Sequence, residues 1–163
     1  MELKDKVAVI TGASAGIGAA TARSLAQGGA RLLLVARRED RLQSLAQEIG
    51  GDTQILALDL AKPSAPQAML DHAQGQFGAV DILVNNAGIL RTSHHEEFDL
   101  AKLDPMIAVN YSAVVRASVL FARHMKARGT GQIVNISSIG AGITAAGTGV
   151  YKVWRTSRLS CYR

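Results

Sequence analysis

Short apolar runs alternate with amphipathic stretches along the first 150 residues of the chain. The apolar runs are β-branched or leucine-rich with little alternation, as expected for strands covered on both faces of a parallel sheet. They predict five strands, at residues 7–11, 32–36, 54–58, 82–85 and 132–136. Helices are expected near residues 17–27, 38–48, 66–74 and 105–128. Asp104 is expected to cap the last of these, with Pro105 in its first turn.

Strands that alternate with helices in this order predict a doubly wound α/β domain with a parallel sheet, and the expected strand order is 3-2-1-4-5. The length of 163 residues suits one such domain, and 48% apolar with 19% charged residues is ordinary globular composition. The longest aliphatic run, residues 32–36, is too short to span a bilayer, and the charged start of the chain is unlike a signal peptide. We therefore expect a cytoplasmic protein without membrane contact, and the single cysteine, Cys161, suits a reducing compartment.

The net charge of +5 is concentrated at one end of the chain. Residues 152–163 hold four basic residues and no acid, so the rest of the chain carries only +1. No basic stripe with interleaved aromatic residues is present, and aromatics make up 4% of the chain. This distribution argues against a nucleic-acid partner.

A glycine-rich loop, TGASAGIG, joins the first predicted strand to the first helix at residues 11–18. A backbone without side chains can turn sharply and approach a phosphate closely, and the helix N-terminus then faces the phosphate charge. The loop therefore predicts a pyrophosphate site, with a tight strand–helix turn that binds nothing as the alternative. The residues assigned to this site are Gly12, Ser14, Gly16, Ile17 and Gly18.

Two arginines follow the second strand, at the position where dinucleotide-binding sheets distinguish their cofactors. An acid there accepts a hydrogen bond from a ribose 2′-hydroxyl, whereas arginine favours a 2′-phosphate. The strand ends without an acid, Arg37 and Arg38 come next, and Glu39 and Asp40 are expected in the first turn of the following helix. The pattern favours NADP over NAD, unless the arginines are only solvated residues that open the helix.

Further candidate residues follow the third and fourth strands, at the sheet edge where open α/β sheets bind ligands. Asp59 and Leu60 come after the third strand, and Asn86, Ala87 and Gly88 come after the fourth. Because the carboxyl ends of parallel strands share one edge, we expect these residues beside the glycine loop.

The order and spacing of these motifs resemble those of the short-chain dehydrogenases/reductases over residues 5–152. The resemblance rests on the Gly-x-x-x-Gly-x-Gly loop, the NNAG segment at 85–88, the serine pair at 137–138 and a tyrosine about a dozen residues later. It implies a Rossmann-type doubly wound fold that binds NAD(P), with Asp59 at the adenine. It also implies catalytic roles for Asn110, Ser138 and Tyr151.

Membership of that family implies carbonyl reduction or alcohol oxidation by hydride transfer on a small-molecule substrate. The family's tyrosine exchanges the proton, its serine polarises the carbonyl, and its asparagine helps to hold a water-linked proton path. A lysine four residues after the tyrosine lowers the tyrosine pKa and holds the nicotinamide ribose. The family's tyrosine helix packs against its twin, so the resemblance also implies a homo-oligomer.

The family pattern breaks after Lys152. Arg155 stands where the family has lysine, and residues 153–163 form an atypical basic tail with the only tryptophan and cysteine. Family members run to about 250 residues, so we expect the Rossmann domain, residues 1–152, to be incomplete at its C-terminus. A reading-frame shift, a splice variant or true divergence would each produce this tail.

We therefore expect poor activity from this chain. The alternatives to an enzyme are an inactive dinucleotide-binding remnant and an interaction module that pairs with full-length relatives. The pair His94 and His95, followed by two glutamates, is expected to be a solvated loop, and Cys161 an incidental thiol, so no metal site is predicted.

Overall fold

The computed structural model describes residues 2–90 and 99–138. This part of the chain forms a five-stranded parallel sheet in the order β3-β2-β1-β4-β5, which confirms the predicted fold class and strand order. Each strand lies within one residue of its predicted bounds. The strands are β1 Val7–Thr11, β2 Arg31–Ala36, β3 Thr53–Ala57, β4 Ile82–Asn85 and β5 Gln132–Asn135.

Helices connect the strands and cover both faces of the sheet. They are α1 Gly16–Gln27, α2 Glu39–Ile49, α3 Ala65–Phe77, α4 Leu103–Ile107 and α5 Ala113–Arg128. A single 3-10 turn, Leu100–Lys102, precedes α4, and a π-helical turn, Ala108–Ser112, joins α4 to α5. Residues 100–128 therefore form one continuous helical run.

The predicted cap of this long helix is wrong. The run begins before Asp104, and the carboxylate of Asp99 accepts a hydrogen bond from the Ala101 N–H at 3.0 Å. Asp99 therefore satisfies one of the first free N–H groups, and Asp104 lies inside the first turn of α4. Pro105 does lie in that first turn of α4.

Alternation along the strands divides the core into two layers. Val9 and Leu33 belong to the layer that packs on α3 and α5, together with Phe121. Ile10 and Leu34 belong to the opposite layer, which packs on α1 and α2. With both faces covered, the strand ends are the part of the sheet that remains open to a ligand.

The helical run Leu100–Arg128 is also long and apolar enough, by length and composition, to cross a membrane. Core helices of soluble proteins pass the same test. Here Ala117, Phe121 and Met125 are buried against the sheet.

A polar cluster closes the amino edge of the sheet, opposite the candidate site. The Asp81 carboxylate accepts hydrogen bonds from the Val7 N–H at 3.0 Å and from Arg128 at 3.2 Å, and Lys6 lies 3.9 Å away. Burial raises the pKa of Asp81, but these three partners outweigh burial, so the pKa lies below its ordinary value. Arg128 also donates to the Val80 carbonyl at 2.8 Å, which ties the end of α5 to the start of β4.

His124 of α5 belongs to the same cluster. The Val80 N–H donates to its Nε2 at 3.1 Å, so Nε2 must be unprotonated and Nδ1 carries the hydrogen. The nitrogen of the Gln74 side-chain amide lies 3.3 Å from Nδ1, and because Nδ1 carries the hydrogen, the amide can accept it only when turned so that its oxygen takes this place. Burial, followed by the charge of Arg128, lowers the pKa of His124 below its ordinary value, and Asp81 opposes this in part. The fold therefore favours neutral His124.

We expect the free energy of unfolding to fall as the pH drops through about 6.5, the ordinary pKa of histidine. In the unfolded chain His124 takes up a proton near that pH, whereas in the folded chain its lowered pKa delays uptake, so acid favours unfolding. Asp81 adds a second loss below its ordinary pKa of 3.8, because its folded-state pKa is lowered. Urea unfolding between pH 5 and 8 measures the first loss.

The matched variants for this prediction are His124→Gln and His72→Gln. Glutamine at 124 offers an acceptor to the Val80 N–H but does not titrate, so the slope between pH 5 and 7 should flatten. His72→Gln should leave that slope unchanged. An unchanged slope in His124→Gln would contradict the assignment.

Candidate functional site

A cleft of about 380 Å³ lies at the carboxyl edge of the sheet, where the loops after β1 to β4 meet. Its walls come from the ends of four strands and from the π-helical turn before α5, so long-range topology rather than local sequence assembles it. The lining residues are Gly12, Ser14, Ala15, Ile17, Ala36, Arg37, Arg38, Leu58, Asp59, Leu60, Asn86, Ala87, Gly88, Ile89 and Val109.

All the residues assigned to the cofactor from the sequence line this cleft, except Gly16 and Gly18. The structure thus brings together the segments after β1, β2, β3 and β4. Binding of a cofactor by these residues stays a prediction. Sequence reasoning missed five apolar lining residues, which carry no polar signal: Ala15, Ala36, Leu58, Ile89 and Val109.

The glycines of the loop serve different purposes. Gly12 has a φ of +67°, and a Cβ there would lie 2.8 Å from the Cα of Ala87. Gly18 sits in the first turn of α1, where a Cβ would collide with the Gly12 carbonyl oxygen and lie 2.5 Å from the Asn86 side-chain nitrogen. Gly16 has a φ of +56° but faces open space. Gly12 and Gly18 therefore permit close packing, while Gly16 permits the turn.

The Thr11 hydroxyl connects the glycine loop to the end of β4. It is buried, donates to the Val84 carbonyl at 3.2 Å, and accepts from the N–H groups of Asn86 and Ala87, both at 3.0 Å. The Asn86 side chain adds two hydrogen bonds between the same segments, because it donates to the carbonyls of Thr11 at 3.0 Å and Gly12 at 3.3 Å. Sequence reasoning did not assign Thr11 to the site, because its partners lie more than 70 residues away.

Positive charge lies on the wall that follows β2. Arg38 donates to the Ser14 hydroxyl at 3.1 Å, which brings this guanidinium to the glycine loop. Among the described residues, neither Arg37 nor Arg38 forms an ion pair. Glu39 and Asp40 lie in the first turn of α2, as predicted. Two arginines therefore face the cleft without local neutralisation by an ion pair.

Asp59 lies at the next strand end along the sheet. One of its carboxylate oxygens accepts from the Ala61 N–H at 3.0 Å, which forms a tight turn after β3. Asp59 lines the cleft next to Leu60. This position suits recognition of a hydrogen-bond donor.

Asn110, predicted to be catalytic, braces the cleft wall in this structure. It lies in the π-helical turn, its side-chain oxygen accepts from the Ile89 N–H, and its side-chain nitrogen donates to the Ile89 carbonyl, both at 2.7 Å. One side-chain amide thus bonds both backbone polar groups of a single residue, Ile89. The π-helical turn places Asn110 against the Ile89 backbone, and such turns recur at functional sites of helices.

Of the other two predicted catalytic residues, only Ser138 lies within the described part of the chain. Ser138 lies three residues past β5 and is half-buried. Tyr151 lies outside the described residues, as do Lys152, Arg155, and the His94 and His95 pair. Within residues 2–90 and 99–138, no three histidine, cysteine, aspartate or glutamate side chains are grouped to hold a metal ion.

Comparisons with known proteins agree with this geometry. The family described as short chain dehydrogenase matches residues 6–153. An uncharacterized oxidoreductase of Staphylococcus saprophyticus is 38% identical over 150 residues, covering 91% of this chain and 61% of that protein.

Solved structures show the same fold. A 3-ketoacyl-(acyl-carrier-protein) reductase from Brucella melitensis, complexed with NADH, superposes with a TM-score of 0.88 at 34% identity, over 94% of this chain and 66% of that one. The closed form of a serine dehydrogenase complexed with NADP+ has a TM-score of 0.85 at 31% identity, over 92% and 61%. The chain thus spans about three fifths to two thirds of the length of these three proteins.

Proposed function

The chain belongs to the short-chain dehydrogenase family, and we propose that it binds a nicotinamide dinucleotide, preferentially NADP, for hydride transfer to or from a small carbonyl or alcohol substrate. The cleft carries this proposal, because it joins a glycine loop, two unneutralised arginines and a carboxylate at the ligand-binding edge of a parallel sheet.

The residues of the cleft fit the parts of such a dinucleotide. Gly12, Ser14 and Ile17 of the glycine loop line the cleft where α1 begins, and the absence of a side chain at Gly16 leaves open space beside that backbone for a pyrophosphate. The Asp59 carboxylate would accept from the adenine, and Asn86, Ala87 and Gly88 would wall the opposite side of the cleft. When bound, the nicotinamide supplies or accepts the hydride.

The preference for NADP rests on the contact between Arg38 and Ser14. A 2′-phosphate carries charge that an arginine fork binds with charge-assisted hydrogen bonds, and each is worth about 1.5–3 kcal/mol. The Ser14 hydroxyl, 3.1 Å from the Arg38 guanidinium, offers a further donor at the same place. No acid ends β2 to accept from an unphosphorylated ribose.

We expect calorimetry to show that NADPH binds on the order of 100-fold more tightly than NADH, and that Arg37→Gln/Arg38→Gln removes this difference. The matched control is Arg41→Gln, which removes an exposed arginine one helical turn further along α2 and should leave the ratio unchanged. A chain that prefers NADH before any substitution would overturn the proposed preference.

For the chemistry, we assign Ser138 to polarise the substrate carbonyl and Tyr151 to exchange its proton. Tyrosine has an ordinary pKa of about 10, so it needs a nearby positive charge to act near neutrality. Arg155 can provide that charge but, unlike lysine, cannot make a compact contact with a ribose. Asn110 acts by holding the backbone of Ile89.

Arg155 also favours a second candidate function, a dinucleotide-binding protein with little or no turnover. Assays of the full chain with NADPH and a panel of carbonyl substrates separate the two candidates. Turnover at ordinary enzyme rates, on the order of 1–1000 per second, would exclude the second. NADPH binding without turnover would support it.

A further inference from the structure

The last rung that joins β4 to β5 carries an amide pair. Asn85 and Asn135 are register partners, and the Asn85 side-chain nitrogen donates to the Asn135 side-chain oxygen at 2.8 Å. The backbone reinforces this rung, because the Ile136 N–H donates to the Asn85 carbonyl at 2.9 Å. Two hydrogen bonds therefore link β4 and β5 at the point where both strands end.

Asn85 has its amide orientation set by a third residue. Its side-chain nitrogen also donates to the Ser118 hydroxyl of α5, at 3.2 Å, so both amide hydrogens have acceptors. Asn85 is 5% exposed. A buried amide with both hydrogens bonded is held in one orientation, because rotation would leave them unsatisfied.

This polar trio stands in an apolar layer. Along the same face of the two strands lie Leu83 and Ile133, packed with Phe121 of α5. Apolar side chains at 85 and 135 would fill the layer without the cost of burying polar groups. Core packing alone therefore does not account for the amides.

The rung does stand between two functional segments. Asn86, the next residue, holds the glycine loop through its bonds to Thr11 and Gly12. On the other strand, Ser138 follows Asn135 by three residues. The two segments leave the sheet side by side from this one rung.

We propose that Asn85 and Asn135 form a positioning pair, which sets where the cleft wall at residues 86–88 and the serine segment at residues 136–138 stand relative to each other. Ser118 fixes the pair from α5. The functional consequence rests on the proposed function, since a displacement of about 1 Å between a bound cofactor and a catalytic hydroxyl is enough to lower turnover markedly.

The first test is hydrogen exchange on the full chain without ligand, comparing Asn85→Val, Asn135→Val and the double variant. Each single variant should speed exchange in both segments, 86–90 and 136–138, by about three- to tenfold. The double variant should add nothing beyond Asn85→Val, because that substitution already removes both the shared bond and the bond to Ser118. Gln132→Val, an amide-to-valine change at the other end of β5, should alter neither segment.

A conservative variant separates positioning from general loosening. Asn135→Asp keeps an acceptor for the Asn85 amide and should retain the exchange rates of the unmodified chain in both segments. The proposal is overturned if only the substituted strand responds, if the single effects add, or if Asn135→Asp behaves like Asn135→Val. If the valine variants do not fold, the comparison of Asn135→Asp with Asn135→Ser, which is too short to reach Asn85, decides in the same way.

Kinetics provide the second test. With NADPH and a carbonyl substrate, Asn135→Val should lower kcat about tenfold, leave the KM for NADPH within about twofold, and be rescued by Asn135→Asp. A raised KM with unchanged kcat would overturn the proposal. If the unmodified chain binds no NADPH, the proposed function fails, and the exchange measurements still decide whether the pair positions the two segments.

Discussion

Replacement of Gly18 by alanine is expected to lower the free energy of unfolding by about 3 kcal/mol and to abolish measurable dinucleotide binding. A Cβ at this position would collide with the carbonyl oxygen of Gly12 and with the side chain of Asn86. The Gly12 oxygen belongs to the backbone and cannot move unless the loop moves. The glycine loop must therefore separate from the Asn86 side chain that holds it. Urea unfolding and calorimetry with NADPH measure the two effects.

Gly16→Ala is the matched control for this steric explanation. A Cβ at Gly16 meets no atom within 4 Å, so the only cost to folding is the positive φ of +56°, about 1 kcal/mol. The Gly16→Ala protein should therefore fold and retain the contacts of Asn86. Equal losses of stability in the two variants would contradict the collision proposed at Gly18, since it would then cost no more than the positive φ at Gly16.

Thr11→Val is expected to lower the free energy of unfolding by about 3 kcal/mol, although valine matches threonine in shape. The variant removes a hydroxyl that serves the Val84 carbonyl and the N–H groups of Asn86 and Ala87. Each buried backbone group left without a partner costs about 1–3 kcal/mol, and water can reach the two half-buried N–H groups in part. We also expect NADPH affinity to fall on the order of tenfold, because the cleft wall loses its tie to β1.

Thr11→Ser separates the hydroxyl from the methyl group. Serine keeps the three hydrogen bonds and loses one buried methyl, so its cost should be about 1 kcal/mol with little change in NADPH affinity. Urea unfolding and calorimetry on both variants provide the comparison. If Thr11→Ser is as damaging as Thr11→Val, packing of the methyl group, and not the hydroxyl, holds the two strand ends together.

The strands could be predicted because burial on both faces leaves a direct mark on the sequence. β1 and β4 have their predicted bounds, since each is an apolar run between polar segments. The helical run before α5 was harder to predict. Asp99 and Asp104 are both plausible caps, and the π-helical turn that contains Asn110 coincides with a contact to Ile89, 21 residues away.

The sequence predicted which residues line the candidate site, but not which hydrogen bonds hold them in place. The strand ends followed by glycine, arginine, aspartate and asparagine must meet at one edge of a parallel sheet. Their residue types therefore predicted the cleft. Residue type does not identify a partner. Thr11 is a small hydroxyl residue in a loop until β4 places Asn86 and Ala87 beside it.

The sequence by itself determined the α/β class, the strand order, the family and most of the residues that line the cleft, because periodicity and motif spacing are local properties. Only the tertiary structure decided how those residues are held. Three sets of hydrogen bonds each join residues 21 to 76 positions apart: those of the Thr11 hydroxyl, those of the Asn110 side chain and the one between Asn85 and Asn135. Hydrogen bonds act over about 3 Å in space, so their partners depend on which strands and helices become neighbours.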